Sequence, residues 1–561
     1  MSDKMRPVPF EELLKQALWE YRQKGSFFFV PVEKIDSQIP KVHLSGKEIE
    51  SPIGPAAGPH TQLAQNIIAA YAAGARYFEL KTVQIVEGES LGLKKPCIYV
   101  SDEAYNTEWS TELTVIQALE EYIKAWYLLK LLIKEFKLGD PEGFVFNMSV
   151  GYNLEGIKSE KIDYFIESMK DASKVRAYQD YVRFTIEHLD WFTSLTREYV
   201  TGLWPYISNT ITLSTMHGCP AKEIESITTY LMEVKKLNTY LKCNPTLLGV
   251  LQVRTILDKM GYEYVTFDRE SFEADISFEA VTELLARLQT VSKRVKVEFG
   301  VKLTNTFPVR IKEQELQGET MYMSGPALYP LTIGVAAKLS EAFKGNLSIS
   351  YSGGADTGNI GAIYETGICP ITVSTLLLKP GGYRNLTRLN KALADKPVKQ
   401  KQSIETELVK KLAEKAVQDT RYFKTDRKKE KKKLSVTSYS PFCSKCRNCV
   451  EVCPNRANQS YEWKQKSYVL HQDRLCNECG TCSFFCILGH VPYKEKFTEF
   501  YNREDMQESD NDGFYRKQER FTIRIAGQVH TGSLTELRTI SEEVTEILEH
   551  HYANNRTDYA G

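Results

Sequence analysis

The sequence has no excess of charge of either sign, no long apolar run and no apolar leader. Lys and Arg together number 72, as do Asp and Glu, so the charge balance gives no indication of a nucleic-acid partner. No stretch approaches the roughly 20 apolar residues that a membrane-spanning helix needs. The first residues, MSDKMRPVPFEELLKQ, are charged from the third position onward and lack a signal core. We therefore expect a soluble, cytoplasmic protein with neither a nucleic-acid nor a membrane partner.

A further absence concerns nucleotide cofactors. No G-x-G-x-x-G motif follows a predicted strand and opens a helix, so the sequence shows no dinucleotide-binding unit. If NAD(P)H is the ultimate reductant, we expect another polypeptide to bind it. The sequence leaves the oligomeric state open, a homodimer included.

The twelve cysteines are unevenly distributed, and eight of them lie between residues 443 and 486. Two runs share the spacing C-x-x-C-x-x-C-x-x-x-C, which is typical of bacterial ferredoxins, where three close thiolates hold one [4Fe–4S] cluster and the fourth reaches the other. The predicted ligand sets are Cys443, Cys446, Cys449 and Cys486 for one cluster, and Cys476, Cys479, Cys482 and Cys453 for the other.

Two other interpretations of these cysteines were weighed. Paired zinc knuckles use C-x-x-C pairs but lack the third and fourth cysteine of each run. A disulfide framework needs an oxidising compartment, which the lack of a signal core disfavours. Upstream, Cys97, Cys243 and Cys369 are expected to be small buried residues rather than ligands.

From about residue 50 to 395, short β-rich runs alternate with longer helical ones, which predicts an α/β fold with a parallel sheet. Eight strand–helix units of this length suit a (β/α)₈ TIM barrel, with a doubly wound sheet as the alternative. The predicted strands are SPIGPAA (51–57), RYFELK (76–81), FVFNMS (144–149), NTITLS (209–214), TYLKCN (239–244), VEFGVKL (297–303), NLSISYS (346–352) and PITVS (370–374).

The barrel is one of five predicted segments. They are a helical N-terminal extension (1–49), the barrel (50–420), a basic linker (421–438), a bacterial ferredoxin-like 2[4Fe–4S] domain (439–495) and a small α/β extension (496–561). Within the last segment we expect one strand, FTIRIAGQVH, and a helix over about 533–552.

Barrel enzymes build their sites at the carboxyl ends of the strands, often with a phosphate held after strands 7 and 8. Here the seventh strand ends in Ser352-Gly353-Gly354-Ala355 and the eighth in Ser374-Thr375, and Gly325 follows Ser324 in a nearby segment. Small residues let backbone N–H groups approach a phosphate, although these glycines could also only make tight turns. We predict a phosphate site.

Residues 50–395 resemble the flavin barrel of dihydroorotate dehydrogenases and of dihydropyrimidine dehydrogenase, which also appends two ferredoxin-type clusters. A closer resemblance is to a family of selenate reductase subunits, and it points toward anaerobic purine breakdown. The motifs that carry these resemblances are GPAAGPHTQLAQNI (54–67), ELKTVQI (79–85), NTEWSTEL (106–113), FNMSVGYNLEGI (146–157), LSTMHGCP (213–220), LTNT (303–306), SGPALYPL (324–331) and SGGA (352–355).

The resemblance implies FMN, in a site formed by Ala56, Ala57, Gly58, Lys81, Thr82, Asn147, Lys242, Gly325, Gly353, Gly354, Ser374 and Thr375. The first three would lie flat against the isoalloxazine ring, and the two lysines would place positive charge near its N1–O2 edge. Thr82 and Asn147 are expected to be hydrogen-bond partners. For each lysine, a surface ion pair is the alternative.

The resemblance also places substrate contacts at Asn106, Asn305 and Thr306, because Asn offers both a donor and an acceptor to a cyclic urea or imide. A further Asn of the family corresponds here to Thr212, which favours a ring other than uracil. A proton donor is expected on the loop after the fourth strand. Thr215, Cys219 and His217 are the candidates, and the sequence leaves the choice among them open.

The sequence thus predicts a flavin-dependent oxidoreductase that transfers a hydride between FMN and a nitrogen heterocycle, a purine-derived ring such as urate before a pyrimidine. The two clusters would pass electrons from a separate NAD(P)H-oxidising flavoprotein subunit or a ferredoxin. The alternative is an electron-transfer subunit of a multi-subunit reductase, with selenate reduction as the example.

Overall fold

The computed structural model describes residues 4–555 except 102, 109, 216, 313, 395, 397–402, 425–440 and 464–465. Most of the predicted basic linker therefore lies outside the described residues. The chain forms two compact units. The barrel unit comprises Val32–Leu377 and Tyr383–Asp426, and the cysteine unit comprises Met1–Pro31, Leu378–Gly382 and Arg427–Gly561.

Eight parallel strands form the centre of the barrel unit, and each overlaps one of the eight predicted strands. They are Ile53–Pro55, Tyr77–Glu79, Val145–Val150, Thr210–Leu213, Asn238–Cys243, Phe299–Leu303, Ser348–Ser352 and Ile371–Val373. Each strand pairs with the next along the chain from the second to the eighth, and the eighth pairs with the first. The predicted TIM barrel is confirmed.

Gly54 explains how the barrel closes between its first and second strands. The two strands approach so closely that a Cβ atom on Gly54 would overlap the carbonyl oxygen of Tyr77. One backbone hydrogen bond, from the N–H of Arg76 to the carbonyl of Ile53 at 2.9 Å, crosses this seam. Only glycine fits here, and the barrel is nearly closed.

Helices follow the strands and cover the barrel. The longest begins after Thr114, whose hydroxyl accepts from the N–H of Gln117 while the Gln117 side chain accepts from the N–H of Thr114, a capping box. The helices are Ala64–Ala72, Val115–Phe136, Leu154–Ile157, Glu160–Lys170, Arg176–Glu187, Arg197–Thr201, Ala221–Glu233, Val250–Lys259, Arg269–Ala274, Phe278–Val295, Tyr329–Ala342, Ile360–Glu365, Arg384–Leu393 and Thr406–Ala416.

A four-stranded antiparallel sheet is the main feature of the barrel unit that the sequence did not predict. Two of its strands, Ile98–Val100 and Ala104–Asn106, come after the second barrel strand. The other two, Phe307–Arg310 and Thr320–Ser324, come after the sixth. Segments that leave the carboxyl ends of parallel strands emerge at one end of a barrel, so this sheet belongs to the end where the site is predicted.

The cysteine unit begins with the helix Phe10–Lys24 and the short strands Ser26–Phe27 and Val30–Pro31. Its six-stranded sheet is made of Asn458–Trp463, Lys466–Gln472, Thr498–Glu499, Gly513–Lys517, Arg520–Ile525 and Gln528–Gly532. The single strand expected for FTIRIAGQVH is wrong: Ala526 and Gly527, both at positive φ, turn the chain into a hairpin. The predicted C-terminal helix is present as Leu534–Leu537 and Glu542–Asn555.

Apolar side chains form a core in this unit around Phe514, Phe521 and Leu548. Across the described parts of both units, none of the helices combines the length and the apolar character required to cross a bilayer.

Candidate functional site

The glycines of the predicted phosphate site come together at the mouth of the barrel. A Cβ atom on Gly354 would lie 2.7 Å from the carbonyl oxygen of Gly325, and one on Gly325 would lie 3.0 Å from Cγ2 of Thr375. The hydroxyls of Ser324 and Thr375 are 3.0 Å apart. Gly325 and Gly354 have φ angles of +75° and +70°, a conformation that L side chains rarely adopt. At Gly325 and Gly354 the chain therefore packs too closely for a side chain, and we call Gly325, Gly354 and Thr375 the cradle.

Backbone donors in this cradle have no protein acceptor. Among the described residues, the N–H groups of Gly354, Ala355 and Thr375 make no hydrogen bond. Gly58 adjoins the same surface, since a Cβ atom there would lie 2.7 Å from Oγ of Ser374. Free N–H groups around a concavity are suited to the oxygens of a phosphate group.

Lys242, at the end of the fifth strand, is the lysine best placed to serve an anionic cofactor. It borders a cavity together with Thr215 and Asn244, and among the described residues it has no hydrogen-bond or ion-pair partner. Burial lowers the pKa of Lys242 to about 8, helped by Lys302 and opposed by Glu79. The side chain is half-buried, and an ammonium group that loses water without gaining a counter-ion is costly, so this side chain is suited to a negatively charged ligand.

Lys81 has a partner of its own. Its ammonium group donates to Glu108 at 2.5 Å, and both side chains are buried. Burial opposes ionisation of Glu108, but Lys81 and Lys95 lower the pKa of this carboxyl below its ordinary value. Cys97, predicted to be a small buried residue, is buried and approaches the same carboxylate, with Sγ 3.6 Å from it. The structure therefore distinguishes the two predicted lysines, since only Lys242 has a charge without a partner.

The structure places the other residues predicted near the flavin around the upper barrel interior. The N–H of Ala57 donates to Glu79 at 3.3 Å, next to the buried Ala56. The hydroxyl of Thr82 is 2.8 Å from that of Ser149. The amide of Asn147 donates to Thr212 at 2.8 Å and accepts from Thr210 at 2.9 Å, which leaves one N–H free. Their contacts with a flavin stay predictions.

A buried ion pair between Glu79 and Lys302 crosses this interior and was missed in the sequence. Lys302 also donates to the Thr372 hydroxyl at 2.7 Å. Glu79 ends the second strand, two residues before Lys81, and Lys302 is in register with Lys242 on the neighbouring strand. Glu79 and Lys81 are alternate residues of the predicted strand 76–81, and alternate residues of a strand share a face, so this spacing was a signal that could have revealed Glu79.

Asp275 is a second residue that the sequence did not reveal, and it joins three parts of the mouth. Its carboxylate accepts from Nδ1 of His217 at 2.9 Å, the N–H of Gly218 at 2.6 Å, the hydroxyl of Thr246 at 2.8 Å and the amide of Asn244 at 3.0 Å. Burial favours the neutral acid, but these donors hold the pKa of Asp275 below its ordinary value. Asp275 is therefore a carboxylate with His217 as a fixed neighbour.

The three candidate proton donors have different surroundings. Thr215 is buried, and its hydroxyl makes no hydrogen bond among the described residues. Burial, with the nearby Glu223 and Asp275 carboxylates, raises the pKa of the Cys219 thiol to about 11. His217 pairs with Asp275, and its side chain is 24% exposed. Of the three, only His217 has a charged partner and an accessible ring.

The predicted substrate residues lie around the same network. The amide of Asn305 donates to Asn244 at 2.7 Å, and Asn244 in turn donates to Asp275, so Asn244 links the two residues. Asn106 is the strand partner of Tyr322, whose ring is stacked with that of His217 at 6.4 Å. The side chains of Asn106 and Thr306 are half-buried, and neither makes a hydrogen bond among the described residues. Their donors and acceptors are available to a ligand.

In the cysteine unit, Cys443, Cys446, Cys449 and Cys486 line one cavity, together with Lys496. This is the first predicted ligand set. The Cys482 and Cys476 thiols lie within electrostatic range of each other and of Cys479 and Cys453, the second predicted set. Backbone N–H groups point at two of these sulfurs, from Ala457 to Cys453 at 3.2 Å and from Glu478 to Cys476 at 3.3 Å.

In the described parts of the chain, no three or more His, Cys, Asp or Glu side chains form a compact group able to hold a metal ion. A cubane differs from a single ion in that it holds four irons between its thiolates. The pairing of cysteines into two sets agrees with the predicted spacing, and the presence of clusters stays a prediction.

The barrel and its mouth define an α/β-barrel enzyme. The family model "Oxidoreductase YgfK, N-terminal TIM-barrel domain" matches residues 29–424, and the chain belongs to this family of oxidoreductases. The oxidoreductases YgfK of Escherichia coli strain K12 and of Escherichia coli O157:H7 are each 49% identical to it over 402 residues, which make up 69% of this chain and 39% of the relative. The chain thus spans about two fifths of the length of these curated relatives.

Two solved structures of DHODH from Eimeria tenella are similar to the barrel unit. The complex with ferulenol covers 69% of this chain and 91% of its own, at 15% identity and a TM-score of 0.40. The ligand-free form covers 68% and 93%, at 16% identity and a TM-score of 0.41.

Proposed function

We propose that the chain is an FMN- and iron–sulfur-dependent oxidoreductase that reduces a nitrogen heterocycle with electrons from a partner protein. The observation that carries the proposal is the combination, at one end of the barrel, of backbone N–H groups without acceptors and a half-buried lysine, Lys242, without a partner among the described residues. Such residues would bind two features of FMN: its phosphate group, and its ring, which becomes negative on reduction.

The residues of the mouth fit FMN. Gly325, Gly354 and Thr375 would hold the phosphate through backbone and hydroxyl donors, because the N–H groups of Gly354 and Thr375 make no hydrogen bond among the described residues. Lys242 would place its charge at the N1–O2 edge of the ring. When bound, FMN supplies hydride transfer and exchanges electrons singly or in pairs.

These residues favour a cyclic amide as the substrate. A purine-derived ring is the first candidate and a pyrimidine is the second. Asn106 and Asn305 bring amides to the mouth, and Thr306 adds a hydroxyl. Thr212, which stands where the family has a further amide, is buried and accepts from Asn147, so it offers a ring no donor of that kind. The pocket thus has fewer amides than one built for uracil, and urate is the first ring to test.

The electrons would reach the barrel through two [4Fe–4S] clusters in the cysteine unit. Two sets of four thiolates in the ferredoxin spacing are present, one of them around a single cavity. Hydrogen bonds from backbone N–H groups to the sulfurs are a way in which proteins adjust cluster potentials. We expect the donor to be a separate NAD(P)H-oxidising flavoprotein or a ferredoxin, in the cytoplasm.

The experiment is an anaerobic reconstitution with FMN, iron and sulfide, followed by addition of urate or uracil under reduced methyl viologen. We expect consumption of one ring and a shift of the flavin absorbance when it binds. An intact flavin and intact clusters with no response to either ring would contradict the proposal. That result would favour an electron-transfer subunit of a larger reductase, which needs no substrate pocket.

A further inference from the structure

We infer that Asp275 is a positioning residue that makes His217 the proton donor of the proposed reduction. The inference rests on the proposed function, because it requires a ring bound at the mouth of the barrel. Neither the spacing nor the family motifs point to Asp275, which follows the short helix Arg269–Ala274, outside every motif quoted above.

The geometry of the His217 imidazole leaves one ring nitrogen for the substrate. Nδ1 of His217 is bonded to a carboxylate that other groups fix in place, so the proton on that nitrogen is held and Nε2 remains for the substrate. Among the described residues, His217 has no hydrogen bond through Nε2. Stacking on Tyr322 holds the plane of the ring, since the two planes differ by 18°.

The carboxylate of Asp275 is held firmly in place. Asp275 accepts four hydrogen bonds, and its side chain is 4% exposed. The N–H of Gly218 reaches it because Gly218 has a φ of +80°, which a residue with a side chain adopts only with strain. A carboxylate with this many donors cannot follow a moving histidine, so it orients the ring rather than adapting to it.

Asp275 and His217 are also connected to the predicted substrate residues. Asn244 bonds Asp275 on one side and Asn305 on the other, while Tyr322 connects His217 to the strand of Asn106. The network therefore lies between the two amides that would grip the ring. A proton donor for a reduced ring has to be near those amides.

In the proposed step, one double bond of the ring would gain a proton from Nε2 of His217 and a hydride, which bound reduced FMN would supply. The ring would be reduced by two electrons, and the imidazolium would become neutral imidazole. Solvent would return the proton to His217, and two electrons from the partner through the clusters, with one proton from solvent, would restore the reduced FMN. Asp275 stays ionised throughout and stabilises the charged ring.

The test compares Asp275→Asn with His217→Gln and with the double variant, using the ring that the wild type turns over. Removing a general acid costs about 10²–10⁴-fold, so we expect a fall of kcat of roughly 10²-fold or more in each single variant. If Asp275 acts through His217, the double variant should be no slower than His217→Gln. A double variant whose losses multiply would overturn the inference.

Two further readouts separate positioning from folding. In the wild type, ¹⁵N spectra of labelled histidine should show His217 with its proton on Nδ1, and Asp275→Asn should lose that preference. The pH profile of turnover should differ between the wild type and Asp275→Asn, because the variant removes the charge next to the proton donor. Unchanged spectra and an unchanged pH profile would overturn the inference.

The matched control is Glu135→Gln. Glu135 is another buried carboxylate, and it accepts hydrogen bonds from the backbone N–H groups of Thr193 and Ser194. This variant should lower the unfolding midpoint while leaving the pH profile as it is. The flavin spectrum should still respond to the ring in Asp275→Asn. A wild type that neither binds nor reduces any ring would instead count against the proposed function, which keeps the two failures distinct.

Discussion

Replacing Gly354 by alanine is expected to remove most of the affinity for FMN. The added Cβ would lie 2.7 Å from the Gly325 carbonyl oxygen and 2.7 Å from Cβ of Tyr329, too close for either to stay in place. Alanine at a φ of +70° costs a further ~1–2 kcal/mol. Shifting the cradle loses at least one hydrogen bond to a charged group, worth about 1.5–3 kcal/mol, which corresponds to a Kd roughly 10- to 150-fold weaker.

Gly249→Ala is the matched control for this experiment. Gly249 has a φ of +80°, and a Cβ atom there would meet nothing within 4 Å. Both variants should therefore lose about 1–2 kcal/mol of unfolding free energy from backbone strain, but only Gly354→Ala should lose FMN. The assay is fluorescence titration of apoprotein with FMN, beside urea unfolding. Equal FMN affinity in Gly354→Ala and the wild type would refute the cradle.

The remaining predictions concern charge and cluster ligands. Because the pKa of Lys242 is about 8 in the protein without flavin, FMN affinity should be constant below pH 8 and fall above it, by up to about tenfold per pH unit, since binding must then take up a proton. Lys242→Met should remove this dependence; an unchanged slope in titrations from pH 7 to 10 would contradict the role of Lys242. Lys302→Met should lower the unfolding free energy by about 3–5 kcal/mol, because it leaves Glu79 buried without its ion-pair partner, and Glu79→Gln in the same chain should restore part of that loss in urea unfolding. Cys446→Ser should cost about four of about eight irons, whereas Cys369→Ser should cost none in a colorimetric iron assay, and equal iron in both variants would exclude the first ligand set.

Much of the barrel was predictable because its signals are local. Each strand is a short β-rich run between helical segments, and glycines mark the ends at 353–354. Spacing alone also separates the eight clustered cysteines into two runs of four, and the assignment of these cysteines to two clusters stays a prediction. The hairpin at Ala526–Gly527 was missed because the β-rich pattern runs through a turn that needs only two residues.

The rest depends on contacts between distant residues. Asp275 is 58 positions from His217 in sequence, in a segment with no regular pattern, so nothing local identifies its partner. The distinction between Lys81 and Lys242 likewise requires knowing that Glu108 lies beside the first and no carboxylate is bonded to the second. Both lysines end similar strands, and the sequence treats them alike.

The central claim is that one flavin mononucleotide and two iron–sulfur cubanes are bound to the same chain. The most direct measurement is anaerobic purification followed by analysis of flavin, iron and acid-labile sulfide. We expect one FMN and about eight irons with an equal amount of sulfide per chain. A chain that is colourless after this preparation, carries zinc at its cysteines or releases an adenine dinucleotide would contradict it.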